Sequence, residues 1–236
     1  MRRRRRPPTT HAAVVQADAG PNGSAETGNA VTRDDSRGDD KNISESGNEP
    51  RTLPPRARDG VYAAVTRLLA VLLLPAAFLR WPGRARELAC GWALSMRFPA
   101  EDLTGLNDSA RAAFTAARTE ALWRHSQLIG LTSGYRDPIV QQRMFDEEVR
   151  RSGSVASARM FVAPPAESNH VKGIALDVRP HEGARWLEVH GARYDLYRIY
   201  DNEWWHFEYH PEHGGTPPRR LPHPGAGLVS QNGDQA

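Results

Sequence analysis

With 236 residues and 39% hydrophobic content, the chain has enough apolar material for one ordinary core and length to spare for tails. Its 31 basic and 28 acidic residues leave a formal charge of only +3, much of it in the run Arg2 to Arg6, so the high pI gives no nucleic-acid reading. A single cysteine, Cys90, excludes an internal disulfide and a multi-cysteine metal cluster, which leaves any metal to imidazoles and carboxylates.

Residues 1–58 are rich in Asp, Gly, Ser, Asn, Arg and Pro, lack sustained periodicity and are predicted to be a disordered leader. Residues 59–81 form a hydrophobic signal or anchor segment. Its uninterrupted apolar run, Leu68 to Leu79, has the length of a signal-peptide core. The longer stretch, Val61 to Leu79, reaches spanning length only by including Arg67 and tolerating Pro75. Membrane anchor, cleaved signal and core helix all remain open, and the first two export the C-terminal part of the chain. Basic residues upstream leave that part outside by the positive-inside tendency. Cys90 comes after Glu87, Leu88 and Ala89 and so fits poorly as a lipid-attachment site.

Residues 82–213 read as the folded domain, entered by a linker around Trp81 to Arg86. Asn107 and Asp108 are N-cap candidates for a helix running to about His125. Leu128 to Thr132 reads as a strand stopped by Ser133 and Gly134, and Pro138 opens a second helix that Ser152 and Gly153 end. After the loop at Pro164 and Pro165 come a short strand near Ile174 to Val178 and a third helix from His181 to about His190. Tyr197 to Tyr200 and Trp204 to Tyr209 are dense in strand-forming residues. Helices and strands mingle without βαβ alternation, which predicts an α+β domain whose mainly antiparallel sheet is packed by helices. In residues 214–236 Pro and Gly return, and order should fade.

Two segments carry chemistry. Ser168 to Asp177 places His170 and Asp177 around Gly173, directly after the proline loop; Asp201 to Tyr209 places Glu203 three residues before His206 among aromatics. Taken singly, each is a weak signal, because a histidine packs or hydrogen-bonds more often than it ligates. Together they offer two imidazoles and one carboxylate, the protein ligand set of a catalytic zinc whose fourth position is open to water. A glutamate outside that set, Glu203, can move the water's proton. Strand periodicity puts Glu203 and His206 on opposite faces, so their cooperation requires a turn near Asp201 and Asn202.

Ser168 to Asp177 resembles the Ser-x-His-x-x-Gly-x-Ala-x-Asp motif, and Glu203 to His206 the Glu-x-x-His motif, of VanY-type D-alanyl-D-alanine carboxypeptidases, with Ser133-Gly134-Tyr135-Arg136 adding to the likeness. That resemblance covers roughly Leu106 to His210 and implies a Hedgehog/DD-peptidase-like fold. It implies one zinc ion on His170, Asp177 and His206, with Glu203 as catalytic base and Arg136 holding the substrate carboxylate or the polarised carbonyl. Less specifically, it puts Gln141 and Ser168 in the substrate pocket, where the residues themselves read equally as a helix-surface amide and a turn hydroxyl. Ala166 departs from the family, which commonly has glycine there. The implied substrate is a peptidoglycan stem peptide ending in D-Ala-D-Ala, at the bacterial cell envelope, with the membrane reached through 61–79 if that segment is retained. A D,D-dipeptidase, an L,D-carboxypeptidase or an endopeptidase would use the same site; a non-catalytic zinc-stabilised binding domain would need neither Glu203 nor Arg136.

Overall fold

The computed structural model describes residues 57–226. Most of the expected disordered leader, the basic run and residues 227–236 of the tail lie outside that range. Helix α1 (Ala57–Arg80) is followed by α2 (Ala85–Arg97), α3 (Asp108–His125), strand β1 (Gly130–Ser133), α4 (Pro138–Ser152), the single turn α5 (Val155–Ala158), β2 (Ala175–Arg179), α6 (His181–His190), β3 (Leu196–Arg198) and β4 (His206–Tyr209). The α+β expectation holds: four antiparallel strands in the order β1-β2-β4-β3 are packed by helices.

Local chemistry accounts for the boundaries nearest the site. The Asn107 side chain accepts from the Ser109 and Ala110 N–H groups and so caps α3. Asp137 caps α4 by accepting from the Ile139 N–H, and Pro138 occupies the first turn, where its missing donor costs nothing. Gly153, at φ +78°, closes α4 in the left-handed region.

Alternation along the strands divides the sheet into two faces. Leu176, Val178 and Phe207 are buried in one core with Phe114 of α3, Leu187 of α6, and Ile129 and Leu131 near β1. Asp177 and His206 point the other way. Register pairs Ser133 with Asp177 and Asp177 with His206, so three adjacent strands bring polar residues into one row. Edge strand β1 is fastened by Glu101, whose carboxylate accepts the Leu131 N–H at 2.6 Å and the Arg118 guanidinium at 2.9 Å.

On the far side, α1 lays small residues seven apart, Ala63, Ala70 and Ala77, against α2. Ala63 and Ala70 join Cys90, Ala93 and Leu94 of α2 and Leu122 of α3 in a second core. Arg67 turns out of the apolar sequence to donate to the Ser126 hydroxyl at 2.7 Å. Val61, Val65, Leu68 and Leu72 remain exposed, and Leu79 is 86% exposed. By length and composition this helix is able to cross a membrane. Cys90 is fully buried, and burial pushes its thiol up to about 11, as expected of an inert packed cysteine.

Contact with the domain continues beyond His213, where the sequence pointed to fading order. The Leu221 N–H donates to the Ile199 carbonyl, and the Leu221 carbonyl accepts from the Asp201 N–H. These bonds tether the turn that carries Glu203.

Candidate metal centre

Three elements supply the row. His170 lies in the loop before β2, Asp177 in the middle of β2 and His206 at the first position of β4. The loop is shaped at Gly173, which has φ +70°; an added Cβ there would sit 2.7 Å from the Gly105 carbonyl oxygen, so only glycine fits. Asp177 Oδ1 lies 3.3 Å from His170 Nε2 and 3.1 Å from His206 Nδ1. Donor atoms of the three residues lie within 4.8 Å of one another. Ligands at about 2.0 Å from a tetrahedral zinc are separated by about 3.3 Å, so the set fits that ion.

The remaining imidazole nitrogens are already engaged. His170 Nδ1 faces the Gly134 carbonyl at 2.6 Å, and His206 Nε2 faces Glu208 Oε1 at 2.9 Å. Each contact holds one ring nitrogen on the outer side and leaves the other facing Asp177, free to ligate once its proton is lost. Glu208 sits two residues after His206, on the same face of β4 and 2% exposed, and also accepts from Asn169 Nδ2 at 2.6 Å. Neither Glu208 nor Asn169 was singled out by sequence reasoning; the two-residue spacing from His206 within a strand is the signal that points to Glu208.

Glu203 lies ahead of β4 at the head of a turn centred on Trp204 and Trp205, slightly later than the turn expected near Asp201 and Asn202: the His206 N–H donates back to the Glu203 carbonyl at 3.3 Å. That turn cancels the odd spacing, and the Glu203 carboxylate stands 3.7 Å from His206 Nδ1. Arg136, just past β1, has Nη2 at 3.7 Å from Asp177 Oδ2. Its guanidinium is held by Gln141 Oε1 at 2.7 Å and Ser133 Oγ at 3.0 Å. Gln141 in turn donates to the Ala163 carbonyl at 2.6 Å, so this buried amide is a strut for Arg136 and not a surface residue. Ser168 is buried at the head of the His170 loop, where its carbonyl accepts from Val171 and Lys172. All seven expected residues border one cavity of about 180 Å³, with Tyr200, Trp205 and Phe161 among its walls.

Charge in this cavity is finely opposed. Burial alone raises the Asp177 carboxyl, but both imidazoles outweigh it and hold Asp177 below the usual range. Burial likewise disfavours charge on His206, yet hydrogen bonds to Asp177 and Glu208 carry it up to about 10. Glu208, raised by burial, is pulled down to about 2 by His206 and His210. Glu203 is pushed up to about 7, by burial first and then by Asp177 and Glu208, against the pull of His206 and Arg136. A carboxyl near neutrality beside a candidate metal triad has the proton affinity wanted of a general base.

Residues 104–212 match the family model for VanY, D-alanyl-D-alanine carboxypeptidase. A D-alanyl-D-alanine carboxypeptidase of Enterococcus faecalis is 29% identical over 121 residues, which cover 41% of this chain and 43% of that protein. The chain thus spans less than half the length of this curated relative. Among solved structures, the vancomycin resistance D,D-pentapeptidase VanY in complex with Zn(II) is 25% identical over 46% of this chain and 76% of that chain, with TM-score 0.41. VanYB in complex with D-alanine-D-alanine is 24% identical over 47% and 75%, with TM-score 0.42. The LdcB LD-carboxypeptidase is 23% identical over 55% and 72%, with TM-score 0.36. Residues 104–212 of this chain are thus similar to the VanY D-alanyl-D-alanine carboxypeptidase family.

Proposed function

We propose that this chain is a zinc-dependent D-alanyl-D-alanine carboxypeptidase that removes the terminal D-alanine from peptidoglycan stem peptides outside the cell. The observation that carries the reading is Glu203: its carboxylate lies 3.7 Å from His206 Nδ1, next to the triad. A binding module has no chemical use for that arrangement.

His170 Nε2, Asp177 and His206 Nδ1 would hold one zinc ion, which supplies a Lewis acid for the scissile carbonyl and acidifies water. Gly134 and Glu208 keep the two imidazoles aimed. Glu203, as carboxylate, takes a proton from the attacking water and delivers it to the departing amine of D-alanine. Arg136, fixed by Gln141 and Ser133, presents a planar guanidinium to the substrate's terminal carboxylate or to the carbonyl oxygen. Ser168 helps shape the same pocket. α1 is retained and holds the domain at the outer face of the membrane, because Ala63 and Ala70 cover Cys90, Ala93 and Leu94, which cleavage would bare.

The test is incubation of purified protein with a defined muropeptide pentapeptide, followed by mass analysis. We expect loss of one D-alanine, abolished by chelator and restored by zinc. Loss of a D-alanyl-D-alanine dipeptide, cleavage of a tetrapeptide or a cut between stems would reassign the bond. Folded, zinc-loaded protein inert on all of these would contradict the catalytic reading.

A further inference from the structure

We propose that His210, Glu212 and His213 form a second divalent-cation site, separate from the catalytic triad and joined to it through Glu208. The three side chains bring one donor atom each within 4.8 Å of one another, just beyond the end of β4. Two imidazoles and one carboxylate are the donor types of a borderline first-row dication such as zinc.

His210 is oriented as a ligand would be. Its Nε2 lies 2.7 Å from Glu208 Oε2, while its Nδ1 faces Glu212 Oε1, also at 2.7 Å. His206 is bound by the other oxygen of the same carboxylate, Oε1, through its own Nε2 and turns Nδ1 to the candidate triad. One buried carboxylate therefore fixes two histidines in the same tautomer, each with Nδ1 directed at a cluster of further donors. A carboxylate behind an imidazole is the usual support of a metal-ligating histidine.

The backbone assembles the remaining donors. The His210 N–H donates to the Asp195 carbonyl, and the His213 N–H donates to the His210 carbonyl across the short turn Pro211–His213. That turn brings the His210 and His213 rings together, tilted by 55° with centroids 5.5 Å apart, and Tyr197 meets His213 edge-on at 5.4 Å. An exposed His210–Glu212 ion pair by itself contributes little and gives no reason for His213 to join it. A cation shared by all three does.

Zinc stoichiometry of the full chain, stripped with chelator and titrated with Zn²⁺ alone, tests the proposal. Wild type is expected to bind two equivalents. His213→Ala and Glu212→Gln should each bind one, and the equivalent they keep reports that they are folded. His170→Ala should also bind one, which His170→Ala combined with His213→Ala removes. A single equivalent in wild type that His170→Ala abolishes would overturn the second site while leaving the first. Two equivalents persisting in both His213→Ala and Glu212→Gln would overturn it as well, by tracing the extra zinc to other residues.

Discussion

A metal-ligating imidazole almost always has its other nitrogen held, and here a loop carbonyl, Gly134, and a buried carboxylate, Glu208, stand ready to hold His170 and His206. Glu208→Ala would free the His206 ring and should weaken zinc binding about 10- to 100-fold, measurable by competition against a chelator. His206 also predicts a proton balance. Its folded value of about 10 lies above the ordinary 6.5, so at neutral pH the metal-free ring carries a proton that zinc must expel. Calorimetric titration in buffers of different ionisation enthalpy should show about one proton released per catalytic zinc; none released would remove this electrostatic picture. The same shift bears on stability without metal. A raised histidine stabilises fully below 6.5 and loses that contribution as pH climbs through about 10; Glu208, lowered from 4.5 to about 2, stabilises above 4.5 and loses its contribution toward pH 2. From these two groups the metal-free domain should melt highest between about 4.5 and 6.5. His170, Asp177, His206 and Glu203 were legible as a set because their motifs state residue type and order. Gln141 was not legible as a strut, since its role depends on the Ala163 carbonyl arriving from a distant loop.

At the scale of elements, the decisive detail is where β4 begins. Its aromatic run suggested a strand from Trp204, whereas pairing starts at His206 and leaves Glu203 in the preceding turn. Had pairing begun three residues earlier, at Glu203 itself, alternation would have sent that side chain to the core face. The spans of α3, α4 and α6 were legible from caps, proline and apolar spacing. Helix α2 was not: its N-cap, Arg84, makes no side-chain capping bond, and its stability comes from packing beneath α1. β1 depends on a buried pair beyond its own sequence. Glu101 and Arg118 side chains are only 4% and 6% exposed, and Glu101 also satisfies the Leu131 N–H. Glu101→Ala strands a buried guanidinium and a strand donor and should cost about 3–5 kcal/mol in urea unfolding. Because β1 leads directly to Arg136, that variant should also lose substrate affinity.

Across the whole molecule, an apolar helix and a polar site sit on opposite sides of one small sheet domain. α1 reads as a signal, an anchor or a core helix from hydropathy alone, and sequence could not separate the three because all draw on the same apolar composition. The packed stripe of Ala63, Ala70 and Ala77 supports the proposed retention, since a disposable segment has no need to complete a core. Intact-mass analysis of protein from the cell envelope should find α1 present; a mature chain starting after Arg80 would contradict retention. The proposed reaction depends on a division of labour between three residues that would hold zinc and one that would move protons. Its most direct test is Glu203→Gln measured for zinc content and D-alanine release together, beside His170→Ala. Glu203→Gln should keep its catalytic zinc while kcat falls about 100- to 10,000-fold, and His170→Ala should lose both. Near-normal turnover in Glu203→Gln, or full activity in a zinc-depleted His170→Ala, would contradict it.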